Sequence, residues 1–422
     1  MKPLLLSLAL LLGLYAPAAT SGLFSIVTNA GEDCNTGVNI SWGADTTAGP
    51  SWVALTRAGD AQWRDTVHIA AHSALATVYY GNYSKLPNGH DWFETALFSK
   101  CGAEVTGLKP ATAYKYRIES ANGGVSDTHY FKTAPLSQAW TACVISDVHT
   151  YSPLPHRLQS AMEMVSTVDR RQPIDWALHI GDMVAWGGSY SFWQQLYAQP
   201  WFSRVMFTGL NGNHDNMSRN YELTGRYFRW ANNMPLNGYG SQKGVAYWFR
   251  YGDVLFIMLN NEEMRSEAGL HQAQNWVRKV VSDNASWARM RVVCEHYEWF
   301  DCINGRDSQY SRWRQVFDDC GIDLAISANN HIYARTVPLK ADKADTAGTV
   351  YVQTSSCDDE RGREVKPGYQ LTENTDKIVT HWTEGPHTVG AILMHYDNHG
   401  LHLKLLDRYG KVHDNFTVTR KR

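Results

Sequence analysis

An all-β N-terminal region followed by an α/β layered domain is the fold class that this 422-residue sequence predicts. Three observations carry it. From Gly22 to about Pro135, short alternating runs are cut by Gly, Asn and Asp, as in a small β-sandwich. After Pro135, strand-like apolar runs alternate with helical ones. In that second region, five apolar runs each end in a cluster of Asp, Asn or His. Hydrophobic residues at 44% and charged residues at 19% suit a chain that buries a real core and argue against disorder. Lys plus Arg is 39 against 41 for Asp plus Glu, a net charge of −2 that offers no field for general nucleic-acid binding.

Residues 1–19 read as a secretory signal: Lys2, an apolar run from Leu4 to Tyr15, then the small residues Ala16, Ala18 and Ala19 around Pro17. The run is short for a bilayer, and no later stretch approaches about 18 apolar residues, so export without stable membrane insertion is expected. Periplasm and extracellular space remain equal destinations. Residues 22–135 form the expected sandwich, with strands over Val38–Trp42, Trp52–Thr56 and Thr128–Lys132 and an insertion around residues 60–100. Within it Thr112, Tyr114, Tyr116 and Ile118 share one strand face. The lead-in from Leu108 through Pro110 and Thr112 to Tyr114 resembles a fibronectin type III tyrosine corner. Residues 138–420 form the expected second domain, with helices over Pro155–Arg170, Gly269–Ser282 and Ser308–Cys320 and closing strands over Val389–Val418. Seven Cys leave at least one free. Cys34 can pair with Cys101, and Cys302 with Cys320, whereas Cys143 and Cys294 read as buried small hydrophobes.

The polar clusters carry the chemistry. Asp147 and His149 follow Cys143–Ile145, and Asp182 follows Trp176–Ile180. Asn213, His214 and Asp215 follow Val205–Phe207. His296 follows Val292–Val293, and Asn329 and His331 follow Leu324–Ile326. Ligands of layered α/β folds bind beyond strand ends, so these five loops are expected to converge. Asp, Asn and His are hard or borderline donors without thiolate, suited to a two-metal site with ions about 3.5–4 Å apart. Asp182 is the natural bridge. Asp147, His149 and His331 are expected on one ion, and Asn213, His296 and Asn329 on the other. Such a pair acidifies a bound water and clamps a phosphoryl oxygen for in-line attack. His214 then belongs to neither ion and is free to stabilise the transition state or protonate the leaving alkoxide, with Asp215 holding its imidazole. Asn213, His214 and Arg306 are the expected phosphate contacts. Trp186, Tyr190, Tyr297 and Trp299 are candidates for an aromatic groove.

In this order, Asp147-Val148-His149, Gly181-Asp182, Gly212-Asn213-His214-Asp215, Val293 to His296 and Asn329 to His331 resemble the calcineurin-like metallophosphoesterases. With the fibronectin-like domain ahead of them, the chain is similar to purple acid phosphatases over nearly its whole mature length. The resemblance implies a four-layer αββα sandwich and phosphate-ester hydrolysis at a dinuclear site of Fe, Zn or Mn. Two positions depart from the pattern. Where purple acid phosphatases place an iron-ligating Tyr, three residues after the bridging Asp, this chain has Ala185. Where they place the first His of Gly-His-x-His, it has Asn329. The first departure implies no tyrosinate colour. The second implies a more weakly held second ion, or a preference for a hard ion such as Mn²⁺ or Mg²⁺.

The expected activity is therefore hydrolysis of phosphate monoesters by an exported metallophosphoesterase. A phosphodiesterase or nucleotide-cleaving enzyme would use the same residues. A surface binding protein with a degenerate site is the reading that the two departures suggest.

Overall fold

A computed structural model describes residues 22–80, 94–218, 223–301, 306–364 and 377–419. The expected leader over residues 1–19 lies outside them. Alternation in the N-terminal region resolves into two packed sheets. One holds Leu23–Ala30, Val38–Ala44, Glu94–Val105 and His72–Tyr80 in that spatial order. The other holds Val67–Ala70, Ser51–Arg57, Ala113–Ser120 and Gly124–Val125, with His129–Lys132 also pairing Ala113–Ser120. Val27, Ile40, Trp42, Val53, Leu55, Tyr116 and Ile118 fill the space between them. The expected insertion is an antiparallel pairing of His72–Tyr80 with Glu94–Val105. At the corner, the Tyr114 hydroxyl accepts the Lys109 N–H at 3.0 Å, which fixes the chain's entry into its strand.

The expected Cys34–Cys101 disulfide does not form. Cys34 lies at the junction with the second domain, where its N–H donates to Arg250 O at 2.9 Å, while Cys101 lies mid-strand opposite Trp42. Both are buried free thiols, as are Cys143, Cys294, Cys320 and Cys357. Cys302 lies outside the described residues.

In the second domain, parallel strands Met206–Gly209, Trp176–His179 and Trp140–Ile145 continue into antiparallel Gly390–Asp397, Gly400–Asp407 and Val412–Thr419. A facing sheet holds Tyr247–Tyr251, Val254–Met258, Met290–Cys294, Leu324–Ser327, Val350–Gln353, Tyr333–Thr336 and Ile378–Trp382. Period-two alternation explains how this second sheet is covered on both sides. Phe256, Met258, Val292, Cys294, Leu324, Ile326 and Val352 face the inter-sheet core. Leu255, Ile257, Val293, Ala325 and Tyr351 face a separate core under two helices. Those helices are Glu267–Asp283 and Tyr310–Cys320; the first is capped by Ser266 Oγ, which accepts the Gly269 N–H at 3.0 Å. Helix His156–Arg171 covers the first sheet with Leu158, Ala161, Met164, Val165 and Val168 at helical spacing. The layers are helix, sheet, sheet, helix. An aromatic cluster locks the sheets together, with Trp176 stacked on Tyr251 at 4.6 Å and Trp140 edge-on to the same Tyr251 at 5.2 Å.

The two domains share polar as well as apolar contacts. Asn29 Nδ2 donates to Phe207 O at 3.0 Å, and its Oδ1 accepts the Asn233 N–H at 2.8 Å. Ser41 Oγ donates to Ala231 O at 3.2 Å, and the Lys100 ammonium donates to the same Ser41 hydroxyl. Burial at this seam lowers the Lys100 pKa from 10.5 to about 7, with only the neighbouring Cys101 opposing the shift. Between those two values the unfolded chain holds a proton that the folded chain has lost, so stability rises with pH there. Relative to Lys100→Met, the wild type should gain roughly 1.4 kcal/mol per pH unit above about pH 7 and show a flat difference below it. Chemical denaturation of both proteins across that range measures this.

Candidate metal centre

The five strand ends meet between the two sheets. Asp147, His149, Asp182 and the Asn213–Asp215 segment come from the first sheet; His296, Asn329 and His331 come from the second. The site therefore spans the sandwich rather than one sheet edge. Its backbone is strained where its ligands sit. Among the described residues eleven non-glycine residues have positive φ, and five of them are Asp147, His149, Asp182, Asn329 and His331. Each such residue costs about 1–3 kcal/mol, a burden that persists only where the surroundings over-determine it. Gly181 is required for the same crowding: its φ is +86°, and a Cβ there would lie 2.4 Å from His296 Nδ1.

Every imidazole in the centre is oriented. His296 Nδ1 donates to Ile180 O at 2.7 Å and His331 Nδ1 to Arg361 O at 2.6 Å. His149 Nδ1 lies 3.1 Å from Asp147 O and 3.3 Å from Asp358 Oδ2. These contacts place the proton on Nδ1 and aim each Nε2 lone pair inward. His296 and His149 Nε2 stand 3.2 and 3.3 Å from Asp182 Oδ2, and His331 Nε2 stands 3.3 Å from Asp147 Oδ1. Asp147 Oδ1, Asn213 Oδ1 and His296 Nε2 are buried without a hydrogen-bond partner among the described residues. Asp147, His149 and His331 form one group with donor atoms within 4.8 Å of one another, and Asp147, Asp182 and His296 form another. Converging, dry, oriented donors of this kind fit metal ions.

The electrostatics say what is wanted there. Burial opposes charge on Asp147 and Asp182, yet His331 and His296 beside the first, and His296 and His214 beside the second, hold both well below the usual carboxylate range. Burial likewise opposes charge on His296, but Asp182 and then Asp147 push it up to about 10. His149 is raised by Asp182 and Asp358 against its own burial. The two carboxylates thus call for positive charge in their midst, which a cation supplies more compactly than protonated imidazoles.

His214 is neutral and separately held. Burial lowers its pKa to about 4 against the pull of Asp182, and its Nδ1 donates to Ala185 O at 2.9 Å. Asp215 does not hold this imidazole. Its carboxylate is buried and accepts the backbone N–H groups of Asp182, Val184 and Gly212 at 3.0, 3.1 and 2.9 Å, so it ties two ligand loops together. Asn329 Nδ2 donates to Glu298 Oε2 at 2.6 Å, which leaves its carbonyl oxygen as the donor on offer. The Arg306 side chain lies outside the described residues. Two of the aromatic candidates are core instead of groove. Trp299 packs on Phe317 and Tyr351, and Tyr190 stacks on Phe98 of the sandwich. The Tyr297 hydroxyl donates to Glu262 at 2.7 Å, and Trp186 is half-buried.

A sixth loop was missed by sequence reasoning. It follows strand Val350–Gln353 and brings Asp358 against His149 and Arg361 against His214, with Arg361 Nη2 3.2 Å from His214 Nε2. Its signal is the same as that of the other five, an apolar run followed by Asp. Four intervening residues, Thr354 to Cys357, weaken it.

Fold and centre together define a metallophosphoesterase. Residues 141–333 match the family model described as calcineurin-like phosphoesterase, and the chain carries a domain of that superfamily. More narrowly, it is similar to purple acid phosphatases. It is 24% identical over 335 residues to purple acid phosphatase 18 of Arabidopsis thaliana, covering 74% of this chain and 72% of that one. A purple acid phosphatase from yellow lupin (Lupinus luteus) seeds superposes with a TM-score of 0.73 at 17% identity, covering 95% of this chain and 75% of the other. PhoD superposes with a TM-score of 0.60 at 12% identity, over 96% and 94% of the two chains. These two structural likenesses concern the fold.

Removing Asp215 unties two loops and leaves three buried N–H donors, so Asp215→Ala should lower the urea midpoint and the metal content together. A stable, metal-replete Asp215→Ala with slow turnover would instead restore it to a role on His214. Asp358→Asn weakens the anchor of His149 and should reduce affinity for the ion it faces by roughly 10- to 100-fold, read by metal titration.

Proposed function

We propose that the protein is an exported phosphomonoesterase that would act through two metal ions, with Asp182 assigned as a ligand of both. The observation that carries this is the convergence of His149 and His296 Nε2 on Asp182 Oδ2, with His214 Nε2 4.0 Å from the same oxygen. Asp147, His149 and His331 are assigned to one ion; Asn213, His296 and Asn329 are assigned to the other. When bound, the ions supply an acidified water and positive charge at the phosphoryl group.

The chain's own residues do the rest. Asp182 Oδ1 accepts the His214 N–H at 2.8 Å, so the loop that carries His214 is positioned directly by the bridging carboxylate. Ala185 O fixes the His214 ring with Nε2 facing the centre, where it can accept a proton or, once protonated, pass one to the leaving alkoxide. We assign residues 22–135 to a fibronectin type III-like support and residues 138–420 to the phosphoesterase domain, with residues 1–19 as the export signal. Asn-x-Ser/Thr occurs at Asn39, Asn82, Asn216, Asn284 and Asn415; Asn82 lies outside the described residues, Asn39, Asn216 and Asn284 are buried and Asn415 is exposed, so Asn415 suits a glycan among the described ones.

Asp182→Asn should abolish turnover of an aryl phosphate, whereas His214→Ala should slow it roughly 100- to 10,000-fold with metal content retained. Full activity in the Asp182 variant would overturn the bridging role. Comparing an aryl monoester with a bis-aryl diester decides the substrate class. With Ala185 in place of a tyrosine ligand, iron-loaded protein should lack a tyrosinate-to-iron absorption band in the visible. With Asn329 neutral, dialysis against chelator should strip one ion before the other. Two chelator-resistant zinc or iron ions per chain would refute the weaker second site.

A further inference from the structure

We propose that Arg361 grips the phosphoryl group of the substrate beside His214 and makes the site selective for monoesters. The inference rests on the phosphoester reading above and goes beyond it to a residue outside the motif set. Arg361 sits on a loop laced to the centre on every side. Cys357 N donates to Ser146 O at 3.0 Å, Asp358 N to Asp147 O at 3.2 Å, and Ser356 Oγ to Asp147 O at 3.1 Å. The start of helix His156–Arg171 clamps the outer side of the loop. His156 contacts Asp359 and Glu360 at 3.0 and 3.1 Å, and Arg157 contacts Glu360 at 3.1 Å. The Arg361 carbonyl accepts His331 Nδ1 at 2.6 Å, so the residue that orients one imidazole of the centre also projects the guanidinium.

The placement of that guanidinium is unusual for a structural arginine. Its partner is the imidazole nitrogen His214 Nε2, at 3.2 Å, in place of a carboxylate. Its charge is disfavoured by burial. The nearby aspartates are engaged elsewhere, Asp182 and Asp147 in the centre and Asp358 with His149 and Arg157. A guanidinium N–H donor in such a position suits an oxygen of a phosphoryl group. On binding, the donor transfers its hydrogen bond from His214 to a phosphoryl oxygen, and His214 Nε2 is released to face the leaving group. No covalent bond changes in this exchange. A monoester carries three non-bridging oxygens and can offer one to Arg361 after the centre has taken the others. A diester carries two and cannot offer as much.

The test uses the full, metal-loaded chain as wild type, Arg361→Ala and Arg361→Lys. It measures kcat and KM on an aryl monoester and a bis-aryl diester, inhibition by inorganic phosphate, and metal content. Arg361→Ala should weaken phosphate inhibition and lower monoester kcat/KM by roughly 10- to 100-fold, leave diester turnover within about threefold, and keep its metal. Arg361→Lys should recover part of the loss. Equal losses on both esters, loss of metal, or unchanged monoester kinetics and phosphate inhibition in an active enzyme would each overturn the inference. A wild type that hydrolyses neither ester under metal loading would overturn the phosphoesterase reading itself.

Discussion

Two carboxylates, Asp147 and Asp182, are buried together between two sheets, and neither can be ionised there without compensating positive charge nearby. Most of the architecture follows from meeting that demand. Compensation comes from both sheets: His149 arrives with the aspartates from the first, and His296 and His331 arrive from the second. The inter-sheet core is therefore constrained in spacing as well as in burial. The Trp176–Tyr251 and Trp140–Tyr251 contacts bridge the two sheets across which imidazole and carboxylate meet. A core that merely excluded water would tolerate more slack.

The strained backbone has the same origin. Loops that must turn a short side chain back toward a single point leave few conformations, and positive φ at both Asp147 and His149 is one of them. Asp215 and Gly212 show how the strain is held. The carboxylate gathers three backbone donors, and a Cβ on Gly212 would lie 2.2 Å from Asp182 Oδ1, so one loop fits against the next without room for a side chain. The motif that reads as a catalytic string thus contains one residue, Asp215, whose work is to hold backbone.

Much of this was legible in the sequence because local grammar and site chemistry coincide. An apolar strand followed within four residues by Asp, Asn or His marks a strand end that faces a centre, and Asp147, Asp182, Asn213, His296 and His331 all obey it. Helices at His156–Arg171 and Glu267–Asp283 follow from their apolar periodicity within a residue or two. Asp358 and Arg361 escaped because four and seven residues, respectively, separate them from their strand and their partners lie some 150–210 positions away in the chain. Trp299 and Tyr190 were open to misreading for a different reason. A large aromatic next to a ligand is equally compatible with a wall of the site and with the core beneath it, and only tertiary packing separates the two. The same holds for Cys34 and Cys101, whose pairing depended on a strand order that composition does not encode.

The placement of Trp140–Ile145 has a consequence for how the chain is made. This central strand carries Asp147 at its end and is flanked on one side by Trp176–His179 and on the other by Gly390–Asp397. Its second neighbour is synthesised some 250 residues after it. During elongation from the ribosome the half-sheet must wait with one edge open, a non-local pairing that is slow and prone to wrong partners. The strand that opens the domain is thus sealed by one of the last to be translated. Assembly of the centre is in this sense a late event, governed by the arrival of the C-terminal strands and independent of how early its ligands were made.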